Sequence, residues 1–480
     1  MSFDRNLIVI GAGSAGLVAA YLAAILQARV TLVERDRMGG ECLNTGCIPS
    51  KALIHAARQA AQIRRAGELG LRAQVEVDFA RVMEHVAEVV RAIAPHDSVE
   101  RFARLGVECL RGTARLISPH SVEVQTDATV QTITARAIVL ATGSRPAVPS
   151  IPGIERTGYL TSDTVWALRE LPRRLLVLGG GPVACELAQC FARFGSHVEM
   201  VEKLPRLLPR EDEDVSRLLG ERFAAEGIVV HAGCEAARFI VNDNTKALVV
   251  AAAERETTLA FDALLCATGR VPNATGYGLE ELGLRINASG AIETDAFMRT
   301  TCDSVYACGD IAGPYQLTHA ASHQATQATL NALFGRFRRW RADRAVLPQV
   351  TFTEPEVARV GLNESEARVQ NIAFDVTRHG FDELDRAITD HAGGGFIKVL
   401  TEPGKDRMVG ATIVGQHAGE IIAELTLAMQ HGLGLGKILD TIHAYPTYAE
   451  AVRLVAAQWK QAHLSDRTQR WLHRYHGWQR

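Results

Sequence analysis

The sequence lacks any apolar run of the roughly 20 residues that a membrane-spanning helix needs. The nearest, "AGLVAAYLAAIL" (Ala15 to Leu26), is short and follows a Gly-rich turn. The start, "MSFDRNLIVIGAG", has no basic segment leading into an apolar core and a small-residue cleavage site, so no signal peptide is expected. Net charge is also small, formally -2 at pH 7, and no global field draws the chain to nucleic acid or to an anionic membrane. Cysteine is sparse and odd in number. The nine residues mostly sit inside apolar stretches such as "ALLCATG" and "VYACGD". That is the usage of a reducing compartment, and a cytoplasmic location is expected. No second CxxC or Cys/His pair has zinc spacing, so no metal site is expected. What remains is ordinary for a globular protein: 480 residues, 47% hydrophobic and 22% charged, enough for two to four domains.

The chain repeats itself. "NLIVIGAGSAGLVAAYLAAILQARVTLVERD" begins at Asn6, and "RLLVLGGGPVACELAQCFARFGSHVEMVEKL" begins at Arg174. Each reads as an apolar strand, a Gly-rich turn, an Ala-rich helix and a second strand ending in an acid. Gly11 to Glu34 and Gly179 to Glu202 both span 23 positions. "AIVLATGSRPAVP", with Thr142 and Gly143, is echoed by "ALLCATGRVPN", with Gly269. Two such units mean two nucleotide-binding domains. Gly11 makes the tight turn, Gly13 lets backbone approach a pyrophosphate, and Gly16 lets the helix pack close with its N-terminus aimed at the phosphates. Glu34 is placed to bind ribose hydroxyls. In the second unit Gly179 and Gly181 are kept, and Ala184 stands at the third position, a permitted substitute. Glu202 there accepts from a 2′-hydroxyl and repels a 2′-phosphate, which favours NADH. Lys203 and Arg206 lie near enough in sequence to leave NADPH open.

"GGECLNTGCIPSKALI" (Gly39 to Ile54) places four residues between Cys42 and Cys47. In a regular helix such positions lie about 140° apart, too far round to bridge. Gly46 and Pro49 would loosen that geometry, and a strained, reducible disulfide fits better than a zinc clip or a structural staple. "CELAQC" (Cys185 to Cys190) has the same spacing without Gly or Pro. Two buried helix cysteines on different faces are expected there.

With two nucleotide units and this cysteine stretch, the chain resembles the pyridine nucleotide-disulfide oxidoreductases, the group of glutathione reductase, dihydrolipoamide dehydrogenase and mercuric reductase. The resemblance runs from about residue 5 to 460. It rests on "GAGSAG", "GGECLNTGCIPSK", "GTARL", "ATGSRP", "GGGPVACE", "ATGRVPN", "YACGDIAG", "FTEPEVARVG" and "HAYPTYAE", in the family's order. It implies an α/β fold: two Rossmann-like FAD and NAD(P) domains plus a C-terminal α+β dimerisation domain. The expected partition is FAD-binding over 1–150 and 272–347, NAD(P)-binding over 151–271, dimerisation over 348–464 and a basic aromatic tail over 465–480. The resemblance also implies roles. Cys47 is the charge-transfer thiol against the flavin and Cys42 the thiol that exchanges with substrate. Lys51 lies beside the flavin with Glu186 as its partner. Asp310 contacts the ribityl and phosphate region, Thr318 the flavin ring and Ala114 the adenine side. It further implies a homodimer with shared active sites, in which Tyr445 and Glu450 come from the partner chain.

One departure bears on the acceptor. Glutathione reductase and dihydrolipoamide dehydrogenase place a histidine directly before the Pro-Thr of the last motif, with a glutamate five residues on. Here Glu450 is kept, but the histidine position is Tyr445. A phenol with an ordinary pKa near 10 is a poor proton shuttle at about pH 7. His443 stands two positions earlier, and a structural role is preferred for it over that of replacement base. A tyrosine here is shared with mercuric reductase and its relatives, so a soft metal ion or an unidentified disulfide is expected as acceptor, with dihydrolipoamide dehydrogenase activity and a non-catalytic redox-sensing flavoprotein as the alternatives. Yet no cysteine follows Cys308, so the vicinal pair that ends mercuric reductases is missing. The tail carries Trp459, Trp471, Tyr475 and Trp478 among arginines. A helix packed on the dimer is preferred there over a membrane-surface contact.

Overall fold

The strand Arg5–Ile10 and its neighbours form because β-branched and leucine side chains repeat with no polar interruption. Leu7, Ile8 and Val9 are completely buried, as expected of a parallel strand covered on both faces. A computed structural model describes residues 2–242, 245–252, 255–342 and 346–480. The chain forms two compact units, residues 1–203 with 233–343, and residues 204–232 with 344–480.

The first unit holds two Rossmann-like sheets. In the larger, the strand order is Glu108–Arg111, Val30–Glu34, Arg5–Ile10, Val130–Leu140, Ser121–Gln125 and Thr113–Ser118, with Val305–Ala307 also paired to Val130–Leu140. Val130–Leu140 serves two partners. Its first half runs antiparallel to Ser121–Gln125, and its second half, from Ala135, runs parallel to Arg5–Ile10. The second sheet sets His197–Glu202, Arg174–Leu178, Ala263–Cys266 and Leu160–Thr161 side by side, all parallel. An antiparallel meander, Glu235–Asn242, Thr245–Ala252 and Arg255–Phe261, buries Phe239, Leu248 and Phe261 near it. In each sheet one strand, Arg5–Ile10 or Arg174–Leu178, runs directly into its Gly-rich turn.

The second unit is α+β. Its five antiparallel strands run in the order Gln349–Thr351, Glu356–Gly361, Met408–Gly415, Phe396–Thr401 and Asp375–Gly380. The helices Ala418–Gln430 and Glu450–Ala462 bury Leu425, Val452 and Val455 in its core. Lys398 lies fully inside it, yet its ammonium reaches Asp212 at 2.9 Å, Asp214 at 3.0 Å and Glu364 at 2.8 Å. A buried cation without such partners would cost several kcal/mol. The tail forms a helix, Asp466–Gln479, whose Trp471 and Tyr475 rings stack at 5.3 Å. Among the described residues no helix is long and apolar enough to cross a membrane.

Candidate active site

Gly46 decides the shape of the cysteine stretch. A short helix, Gly40–Asn44, carries Cys42. The chain then breaks at Thr45 and Gly46, and a 19-residue helix, Cys47–Arg65, starts on the second cysteine. Cys42 and Cys47 therefore sit on different helices, close enough for each to be the largest influence on the other's titration. Thr318, first residue of the helix Thr318–Phe334, brings its hydroxyl to 3.1 Å from Cys47 Sγ. The pair releases its first proton easily. Hydrogen bonds from Cys47, Thr318 and Ser14 outweigh burial and draw the Cys42 thiol down to about 6. The Cys47 thiol is pushed far up by its bond to Cys42, by burial and by the neighbouring negative charge. Two thiols sharing one proton are chemically poised for a single thiolate.

One turn along from Cys47, Lys51 extends its ammonium to Glu186 Oε2 at 3.0 Å. Glu186 is buried on the helix Pro182–Phe194, so the long helix is tied to the second nucleotide unit by an ion pair. The equally spaced pair, Cys185 and Cys190, also lies on Pro182–Phe194. Cys185 and Cys190 are both buried, and burial pushes the Cys190 thiol up to about 12.

The two Gly-rich turns are built alike. Gly11 has φ +100° and Gly179 φ +109°; a Cβ on either would meet a carbonyl oxygen, of Ala141 or Ala267, at 2.4 Å. The helices that follow, Ser14–Ile25 and Pro182–Phe194, begin on Gly13 and Gly181 without a side-chain cap. Their first N–H groups thus suit pyrophosphate oxygens. Gly13 and Gly181 leave room for close approach, and a Cβ on Gly16 would strike the Gly11 carbonyl. These features fit FAD at the first Gly-rich turn and a nicotinamide dinucleotide at the second. The acids do more than the ribose role expected of them. Glu34 accepts from Ala12 N–H at 2.6 Å, and Glu202 from Gly180 N–H at 2.5 Å, each bracing its own turn. Ala114 is buried in the strand Thr113–Ser118. Thr142 Oγ1 donates to Asn273 O at 2.9 Å, and Gly143 O accepts from Asn273 N–H at 2.9 Å. Gly269 O accepts from Ala147 N–H at 2.9 Å, so the two Ala-Thr-Gly segments are cross-tied.

A polar chain not evident from motif spacing joins the cysteines to Asp310. Arg270 forms an ion pair with Glu41, beside Cys42, and donates from Nε to Ser144 Oγ at 2.8 Å. Ser144 in turn donates to Asp310 at 2.5 Å. Burial raises the Glu41 carboxyl to about 7, against the pull of Arg270, with Asp310, Asp163 and Cys47 adding to the rise. Burial also raises Asp310. Arg270 and Glu41 each lie inside a quoted motif, but nothing in the spacing says that they meet.

Tyr445, His443 and Glu450 lie in the second unit, and each holds a different partner. Tyr445 is 68% exposed and donates its hydroxyl to Asp385 at 2.8 Å. That bond and the Asp385 charge raise the phenol above its usual value. His443 Nε2 is 2.9 Å from Glu424, and Glu450 pairs with Arg453 at 2.9 Å. Among the described residues, no hydrogen bond or ion pair links the three to one another within one chain.

A pyridine nucleotide-disulphide oxidoreductase pattern matches residues 5–325, and the dimerisation domain of the same family matches residues 347–456. The chain belongs to that family. A dihydrolipoyl dehydrogenase of Chlamydia muridarum is 35% identical over 449 residues, 93% of this chain and 94% of that protein. A mercuric reductase of Staphylococcus aureus is 31% identical over 454 residues, 94% of this chain and 82% of that one. Among solved structures, the Cu(II) complex of the HOCl-induced flavoprotein disulfide reductase RclA from Escherichia coli superposes with a TM-score of 0.84. It is 29% identical and covers 95% of this chain and 99% of its own. LpdA from Mycobacterium tuberculosis gives a TM-score of 0.87 at 25% identity. The protein is therefore an FAD-dependent oxidoreductase working with a pyridine nucleotide, and its dimerisation domain points to a homodimer.

Proposed function

We propose that the protein passes electrons from NADH through Cys42 and Cys47 to a thiophilic metal ion. The observation that carries this reading is Tyr445, whose phenol is held protonated by Asp385 where a proton-shuttling histidine would serve a dithiol substrate. A metal ion bound by two thiolates needs less proton traffic than a disulfide, which must collect two protons on reduction. The Cu(II) complexes of RclA make Cu(II) the first metal to test, with Hg(II) beside it.

The chemistry FAD supplies when bound is a two-electron relay between nicotinamide and the cysteine pair. Cys47, at a helix N-terminus and beside Thr318, is the cysteine placed to face it, and the single negative charge the pair shares can lie on either sulfur. Cys42 is the exchanging thiol. Lys51, anchored by Glu186, keeps a positive charge near that face. Asp310 and Ala114 flank the cofactor's ribityl and adenine ends, and Thr318 its ring. Glu202, together with the engagement of Lys203 by Glu235 at 3.0 Å, supports NADH over NADPH. In a homodimer the second unit of one protomer would complete the cysteine site of the other, bringing the Tyr445 and Glu450 region to it.

The relatives named dihydrolipoyl dehydrogenase, at 35% identity, favour a second reading, lipoamide turnover. An NADH-driven panel of Cu(II), Hg(II), lipoamide and glutathione disulfide separates the two. The expected outcome is metal reduction that Cys42→Ser abolishes, with slow lipoamide turnover that Tyr445→His improves. Fast lipoamide turnover, insensitive to Tyr445→His, would overturn the metal reading.

A further inference from the structure

Opposite the Gly-rich turns, the larger sheet of the first unit carries a second cavity of about 740 Å³, within the usual range of small-ligand sites. Four arginines line it, Arg136, Arg299, Arg336 and Arg339, against one carboxylate, Asp303. Arg299 is already neutralised, by Asp295 at 3.3 Å and Asp303 at 3.0 Å. Arg136, Arg336 and Arg339 have no carboxylate partner among the described residues; Arg339 lies 5.6 Å over the Phe297 ring instead. All three are solvent-exposed, so their guanidinium groups are open to an anion from solution.

The cavity wall is fixed. Asn331, buried on the helix Thr318–Phe334, donates to the carbonyls of Phe297 and Trp340 and accepts from Trp340 N–H at 2.9 Å. These three bonds pin both flanks of the segment that carries Arg336 and Arg339. Arg136 precedes Ala141 by five strand residues, roughly 16 Å from the first Gly-rich turn. A ligand here would leave the dinucleotide cradles free.

We propose that this cavity binds a small, multiply charged phosphate anion, either a free oligophosphate or the phosphate end of a nucleotide. Guanidinium groups match phosphate oxygens in a planar, two-pronged geometry, and three uncompensated arginines call for about three negative charges.

The test is calorimetric titration of the FAD-loaded protein with tripolyphosphate, ATP and citrate in parallel. Saturable one-site binding of tripolyphosphate is expected, weakening as salt rises. The double variant Arg136→Ala/Arg336→Ala should lose about tenfold or more in affinity, as expected for two charge-assisted contacts. It should keep its flavin, its melting temperature and its NADH-driven turnover. Arg338→Ala removes one charge from the same segment, but Arg338 lies over Trp340 and does not line the cavity, so affinity should be unchanged. ATP binding tighter than tripolyphosphate would assign the site to a nucleotide, and equal or weaker binding to a free oligophosphate. Absence of saturable binding, an equal loss in Arg338→Ala, or citrate binding as tightly as tripolyphosphate would overturn the proposal. Should the double variant lose its flavin, Arg336→Ala alone carries the test, with a loss of about threefold expected.

Discussion

Cys42 and Cys47 share their spacing with Cys185 and Cys190, but the two pairs have opposite chemistry. In the first, Thr45 and Gly46 interrupt the helix, so the thiols meet and lie beside Thr318. In the second, an unbroken helix keeps both sulfurs in the core, where burial holds the Cys190 proton. Spacing alone therefore says little about cysteine function. Backbone breaks and hydrogen-bond donors decide it.

The sharpest break in this comparison is functional. Cys42→Ser or Cys47→Ser should abolish NADH-driven reduction of the acceptor, while Cys185→Ala and Cys190→Ala should leave it intact; equal losses in both pairs would end the contrast. Reactivity comes next. Alkylation of the reduced protein should follow a thiolate with a midpoint near pH 6, and Cys47→Ala should raise that midpoint by removing its largest cause. Cys190, buried and with its thiol pushed up, should label far more slowly at every pH tested. Third, Lys51→Met removes the Lys51–Glu186 ion pair. Urea unfolding should show a loss of about 1–3 kcal/mol. The smallest effect is alkaline. A raised thiol pKa gives stability that is full below the unfolded value of about 8.5 and falls as pH rises from there towards 12. Cys190→Ala should flatten that fall and cost about 1 kcal/mol at neutral pH.

Much of this was legible in the sequence because it is local. The Gly-rich turns, the strand ends and the cysteine stretch are contiguous, and periodicity with spacing suffices to read them. The contact of Cys47 with Thr318 spans 271 positions and that of Arg270 with Glu41 spans 229, so no spacing rule reaches them. The buried Lys398 was equally hidden. Lysine normally signals surface, and only the fold brings Asp212, Asp214 and Glu364 around it. Glu34 and Glu202 were read as ribose ligands from distance along the chain; that each also braces its turn is a matter of side-chain direction.

That bracing reaches beyond chemistry. A phosphate cradle does not require a carboxylate on the second residue of its loop, yet both turns have one, on Ala12 and on Gly180. Gly11 N–H and Gly179 N–H each bond to a valine carbonyl at 2.8 Å, from Val33 and Val201. The same bracing device, a carboxylate on one N–H and a valine carbonyl on the N–H before it, therefore serves both turns.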